Sequence, residues 1–217
     1  MTMKIDSYQI GKRIVDIFGS IVGIILFSPL MILAALWVKI VSPSGGIFAD
    51  IPNRVGKDRK PFRFFKFRSM IPNAHNFMLN EPALYKKYVE NNYKIDPNED
   101  PRFLPGAKFV RKYSIDELPQ FFNVLKGDMS IVGPRAYFFS EIDEQGAKYP
   151  EVKDLLDDVF SVKPGITGLW QVSGRSEIGF PGRVKLDATY AKKKSLMYDL
   201  ILILKTPFVV ITGKGAF

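Results

Sequence analysis

Among 217 residues the chain has no cysteine and one histidine, His75. Without thiols there is no disulfide framework, no cysteine nucleophile and no thiolate zinc site. A single imidazole likewise rules out a two-histidine metal site. The lack of cysteine fits a reducing compartment. Covalent or metal-assisted chemistry therefore falls to carboxylates. His75, in a polar stretch, is read as an exposed loop residue without a role. Internal repeats and low-complexity tracts are also missing, so the length suits one sizeable core, or one domain plus a membrane element. Acidic residues are in the minority, 22 against 31 Lys and Arg, for a net charge of +9. That balance favours an anionic partner: nucleic acid, lipid head groups or a phosphorylated substrate. No stacking motif of the usual nucleic-acid modules is present, and nucleic acid is set aside.

Long uncharged runs are scarce as well, with one exception. Ile17 to Val38 is 22 residues without a charge, enough to cross a hydrocarbon core as a straight helix. It is too long for a secretory signal and lacks a small-residue cleavage site. Ser28-Pro29 interrupts its middle, where proline removes a backbone donor. Basic residues flank both ends: Lys4, Lys12 and Arg13 before, then Lys39, Arg54, Lys57, Arg59 and Lys60 after. Residues beyond Val38 carry +8 of the net +9. The positive-inside rule wants both flanks on the cytoplasmic face. A re-entrant helix broken at Ser28-Pro29 satisfies both ends, and Ser28 could bond a carbonyl that Pro29 frees. The alternative is an ordinary spanning helix with a mild kink. Near the C-terminus, Leu196 to Ile211 is interrupted by Asp199, Lys205 and Pro207, which suits an interfacial or core helix.

Between these segments the pattern predicts a hinge over Val41–Gly46 and an extended piece over Arg63–Met70. Alternation puts Phe64, Lys66 and Arg68 of that piece on one face. Ile71–Asp100 reads as a polar insertion or lid with a helix over Pro82–Asn91. A helix is expected over Ile115–Lys126, packing Leu118, Phe121, Phe122 and Leu125. A turn and short extended piece should follow over Gly127–Arg135, then a mixed-charge helical stretch over Ile142–Phe160. Lys163–Arg175 looks like a glycine-rich loop, and Arg183–Lys194 like a basic helix.

The chemistry-bearing candidates are Asp116 and Glu117, adjacent in Ser114-Ile115-Asp116-Glu117-Leu118-Pro119-Gln120. Ser114-x-x-Glu117 matches a capping box, although Pro119 fits that register poorly. A helix begun at Asp116 puts Pro119 in the tolerant first turn. Either way the macrodipole should favour ionised carboxylates. Asp116 is then a competent nucleophile, and Glu117 could hold a divalent cation such as Mg²⁺, which binds through one or two carboxylates plus substrate phosphates; on spacing alone the plain capping role stays the alternative. Arg111, Arg135 and Arg175 lie near glycine-rich corners and point to a diphosphate site, because guanidinium matches phosphate geometry. Lys66 and Arg68 join them as phosphate- or nucleotide-binding candidates.

The blocks Lys66-Phe67-Arg68-Ser69-Met70, Asp100-Pro101-Arg102, Arg111-x-x-Ser114-x-Asp116-Glu117-Leu118-Pro119-Gln120, Asn123 to Arg135 and Lys163 to Arg175 together resemble the bacterial sugar transferase family, the monotopic polyprenyl-phosphate phosphoglycosyl transferases. Departures are small: Lys112, Tyr113 and Ala136 stand where arginine, a smaller residue and proline are usual. The resemblance implies an α+β, mostly helical chain. A re-entrant membrane helix-break-helix would occupy residues 1–41, and a small membrane-associated catalytic domain with interfacial amphipathic helices residues 42–217. It places the protein on the cytoplasmic face of the bacterial inner membrane. It further implies a two-step exchange in exopolysaccharide or glycoconjugate assembly. Asp116 takes a phosphosugar from a nucleoside diphosphate sugar, commonly a UDP-sugar, and passes it to polyprenyl phosphate. Glu117 would ligate Mg²⁺ and the arginines would hold phosphates. Asp187 and Asp199 match acidic positions with structural or substrate-binding roles. The implied partners are these two substrates and membrane lipids, with a homo-oligomer left open. A non-enzymatic basic membrane-binding protein and a membrane-bound aspartyl-phosphate phosphatase are the rival readings.

Overall fold

A helix of 35 residues, α1 (Ser7–Val41), dominates the computed structural model, which describes residues 7–90, 95–96, 98–213 and 215. Lys4, the end of the predicted helix at Asn91, and Lys214, Ala216 and Phe217 lie outside the described residues. At about 1.5 Å per residue α1 is roughly 52 Å long. It runs through Ser28-Pro29 without interruption, which corrects the expected helix-break-helix. The local chemistry is as anticipated: Ser28 Oγ donates to Ile25 O at 2.9 Å, the carbonyl whose helical partner Pro29 removes.

The buried positions of α1 (Asp16, Ser20, Gly23, Met31, Ala34 and Val38) recur every three or four residues apart from one gap. They form a seam against the rest of the chain. Two glycines allow the close approach: a Cβ on Gly19 would lie 2.3 Å from Ile131, and one on Gly23 2.6 Å from the Phe121 ring. Polar contacts tie the N-terminal end. Lys12 pairs with Asp199 at 3.0 Å, Asp16 accepts from Ser130 Oγ and Ile131 N, and Arg13 donates to the Val124 and Leu125 carbonyls. At the other end Trp37 Nε1 donates to Pro105 O at 3.0 Å, and Met31 and Ala34 pack with Phe67, Val110 and Ile115. The opposite face, with Ile14, Phe18, Ile25, Leu26, Leu33 and Ile40, is apolar and exposed. Among the described residues α1 is the one helix long and apolar enough to cross a membrane.

Small elements follow in the order β1 (Arg54–Val55), β2 (Pro61–Phe62), α2 (Ala74–Leu79), α3 (Pro82–Glu90), α4 (Ala107–Lys112), α5 (Gln120–Lys126), β3 (Ser130–Val132), α6 (Phe139–Lys148), α7 (Leu155–Phe160), β4 (Gly165–Thr167), α8 (Leu169–Ser173), α9 (Phe180–Lys193) and α10 (Leu196–Thr212). The chain is mostly helical with small sheets, as expected. Strands β1 and β2 pair antiparallel; β3 and β4 pair parallel, with Ser130 opposite Gly165 and Val132 opposite Thr167. Tyr137, Val152, Leu156, Val159, Phe160 and Val184 form the main core, where α7 packs on α9.

Three expectations change. The helix expected over Ile115–Lys126 is split into a 3₁₀ turn, Ile115–Glu117, and α5, with Pro119 at the α5 N-cap, where its missing donor is harmless. Its buried residues are Gln120, Asn123 and Val124, whereas Phe122 and Leu125 are exposed and Phe121 stacks on Phe27 of α1. Lys163–Arg175 is no open loop but holds β4 and α8.

Candidate active site

The turn carrying Asp116 and Glu117 is fixed from both sides. Before it, Ser114 adopts left-handed backbone (φ 55°) at the end of α4. The Ser114 hydroxyl does not cap the turn; it accepts a 2.6 Å hydrogen bond from Arg175 Nη2. The capping-box alternative is therefore not realised. Ile115 is buried against α1, and Phe67 N donates to Asp116 O at 2.8 Å. That last bond pins the extended segment after β2 against the turn and brings Lys66 over it.

Lys66 Nζ lies 2.9 Å from Asp116 Oδ2 and 3.2 Å from Glu117 Oε1. Asp116 is 1% exposed, while the Glu117 side chain is 38% exposed. Burial pushes the Asp116 carboxyl above the usual range, more than Lys66 and Arg111 pull it down. Burial opposes the Glu117 charge too, but Lys66 and Arg135 outweigh it and hold that carboxyl at about 2. The two adjacent carboxylates are thus driven apart, as in sites that divide two roles between them. An Asp116 ionised by the helix dipole is not what the geometry gives. The 3₁₀ turn is three residues long, and burial dominates.

The three arginines converge on this turn. Arg111, in the last turn of α4, lies over Phe103 at 4.8 Å and favours the Asp116 charge. Arg135 follows Gly133-Pro134, lies over Trp170 at 5.1 Å and favours the Glu117 charge. Arg175, with φ 53°, reaches in through Ser114. Arg175 Nη1 and Arg135 Nε are buried without hydrogen-bond partners. Buried guanidinium donors beside carboxylates call for an anionic acceptor. Arg68 does not join them: its Nη2 donates to Ser42 O at 2.8 Å, on the hinge after α1.

The remaining acidic candidates lie behind the site. Asp187 is fully buried on α9, and its Oδ2 accepts from Arg135 N at 3.0 Å and Tyr137 Oη at 2.8 Å. Burial pushes its carboxyl up to about 7. It sets the backbone from which Arg135 projects. Asp199 is 1% exposed, pairs with Lys12 and accepts from Tyr190 Oη at 2.7 Å, anchoring α1 to α9 and α10.

Glycines at the site serve packing. A Cβ on Gly165 would lie 2.0 Å from Gly133 N, and one on Gly168 2.1 Å from Gly133 O. Backbone fills the space beside these glycines. Sequence reasoning missed Trp170, which lies under both Arg135 and Arg183, and Glu141, which pairs with Arg183 at 3.1 Å. Buried Gln120, beside Glu117, was missed as well. Only the position of Trp170 inside the block ending at Arg175 could have pointed to it.

Known proteins resemble this chain over nearly all of it. The model of the bacterial sugar transferase family matches residues 7–213. The undecaprenyl-phosphate galactose phosphotransferase of Salmonella typhimurium is 41% identical over 210 residues, covering 95% of this chain and 41% of that protein. The UDP-glucose:undecaprenyl-phosphate glucose-1-phosphate transferase of Klebsiella pneumoniae is 35% identical over 96% of this chain and 42% of its own length. The exopolysaccharide production protein ExoY of Sinorhizobium fredii is 35% identical over 96% of this chain and 88% of that protein. The chain thus spans about two-fifths of the first two and nearly all of the third. With the Asp116–Glu117 turn, its three arginines and this match over the folded length, the chain belongs to the bacterial sugar transferase family.

Proposed function

We propose that the protein transfers a sugar-1-phosphate from a UDP-sugar to a polyprenyl phosphate, undecaprenyl phosphate by analogy with its relatives. The observation that carries this reading is the convergence of Arg111, Arg135 and Arg175 on one buried and one open carboxylate, with buried Arg175 Nη1 lacking a hydrogen-bond partner and Arg135 Nε facing only Glu141 at 4.0 Å. In the first step an ionised Asp116 oxygen attacks the sugar-bearing phosphorus. A bond forms between them, the P–O–P linkage breaks, and UMP departs with the bridging oxygen. In the second step an oxygen of polyprenyl phosphate attacks the same phosphorus. A new P–O–P linkage forms, and Asp116 leaves as the free carboxylate. Arg111, Arg135 and Arg175 would hold phosphate oxygens and offset the charge spread over them.

The donor set suits a divalent cation that shares its shell with substrate. Among the described residues no group of three His, Asp or Glu gathers to cage an ion. Glu117, ionised and partly open, offers the kind of single carboxylate through which Mg²⁺ binds alongside substrate phosphates. When bound there, Mg²⁺ would offset diphosphate charge.

Membrane placement supports the same reading. Both ends of α1 are tied to one body and its far face is apolar, which supports reading it as a helix bent at Ser28-Pro29 that enters one leaflet and returns, although no break interrupts it. On this reading the basic domain would lie at the cytoplasmic face of the inner membrane, where a lipid phosphate and a soluble donor can both arrive. The test is incubation with a panel of UDP-sugars, Mg²⁺ and undecaprenyl phosphate. UMP release that requires the lipid for steady turnover supports the reading. Lipid-independent release of free sugar phosphate would instead make the protein a hydrolase.

A further inference from the structure

Lys66 holds the position where a cation would bridge the two carboxylates. Its Nζ is 2.9 Å from Asp116 and 3.2 Å from Glu117, and its side chain is largely buried. The backbone on its C-terminal side cannot easily retract. Phe67 is 4% exposed, its N–H is bonded to Asp116 O, and the Arg68 guanidinium is tied to the Ser42 carbonyl. A divalent ion bound to both carboxylates needs oxygens at about 2.1 Å, in the space this ammonium fills. Two cations cannot share that space, because the charges repel and each needs the same oxygens.

We propose that Lys66 is a positioning residue that keeps the divalent cation off Asp116 and confines it to the open side of Glu117. This rests on the transferase reading and assigns Lys66 a task other than phosphate binding. A carboxylate engaged by a divalent ion is a weaker nucleophile than one paired with an ammonium. Lys66 therefore reserves Asp116 for attack while Glu117 serves the metal.

The experiment is Mn²⁺ titration of the full chain in detergent, followed by electron paramagnetic resonance and without substrate. In the wild type, Asp116→Asn should change Mn²⁺ affinity less than about twofold and Glu117→Gln should weaken it more than about fivefold. Lys66→Met should tighten binding more than about fivefold, a gain lost in the Lys66→Met/Asp116→Asn double variant. Lys66→Arg, which keeps the charge, should stay near wild type, and Lys66→Gln serves if the methionine variant misfolds. A purely structural lysine would not raise metal affinity on removal. Unchanged or weaker binding in both Lys66→Met and Lys66→Gln overturns the inference. So does an Asp116→Asn loss equal to that of Glu117→Gln. UMP release with Mg²⁺ and both substrates is scored separately, so the transferase reading stands or falls on its own.

Discussion

Arg175 donates a 2.6 Å hydrogen bond to Ser114, and both residues hold left-handed backbone, at φ 53° and 55°. Such conformations cost a non-glycine residue on the order of 1–2 kcal/mol each. Here they meet at the start of the turn that bears Asp116 and Glu117, where strain commonly serves a site. Ser114→Gly should relieve the backbone and raise the melting temperature by a few degrees, yet lower turnover at least tenfold, since Arg175 loses its partner. Thermal melting and UMP release on one preparation check both halves. Loss of stability with full activity would contradict this account.

Proton linkage at Asp187 gives a second prediction. Its folded pKa, about 7, lies above that of an unfolded aspartate, so the folded state holds the proton more tightly. The resulting stabilisation is fully present below about pH 4 and is lost as pH rises to about 7, on the order of 4 kcal/mol in all. Asp187→Asn should flatten the fall in melting temperature between pH 5 and pH 8. An equally steep fall in the variant would assign it to other groups.

Glycine substitutions separate packing from freedom. Gly165→Ala drives a methyl to 2.0 Å from Gly133 N and should prevent folding. Gly146, in α6, has nothing within 4 Å of a Cβ, and Gly146→Ala should add roughly 0.5–1 kcal/mol through helix propensity. Denaturant unfolding of both proteins measures this; similar effects would discredit the backbone contact.

Much of the framework was legible because it rests on local signals. The uncharged run announced α1, and Ser28 beside Pro29 announced the side-chain bond to Ile25 O. The basic run over Arg183–Lys194 matches α9 closely. What could not be read depends on long-range packing. Pro119 was recognised as tolerable near a helix start, but the split into a 3₁₀ turn and α5 follows from the burial of Ile115 against α1. Alternation put Lys66 and Arg68 on one face, yet the extended segment turns between them, one to the carboxylates and one to Ser42. The glycines of the two motif blocks meet each other across β3 and β4, a pairing invisible along the chain.

The proposed re-entrant topology can be tested by labelling. Because the chain has no cysteine, single cysteines at Ser7 and Lys57 give clean labels. Both should react from the cytoplasmic side. Ser28→Ala with Pro29→Leu should shift part of the population toward a full span, exposing position 7 on the far side. Opposite-side labelling of the unmodified topology would rule out the re-entrant arrangement.

The central claim is that Asp116 carries the phosphosugar. The direct measurement is a burst experiment with donor and Mg²⁺ but no lipid, read by UMP release and intact-protein mass. About one equivalent of UMP should appear per active site, with the mass of one phosphosugar added to the peptide containing Asp116. Because burial raises the Asp116 pKa, the burst rate should climb with pH as that carboxyl ionises. Undecaprenyl phosphate should discharge the adduct, and Asp116→Asn should form none while still binding donor through the arginines. Turnover with both substrates but neither burst nor adduct with donor alone would contradict the account and make transfer direct.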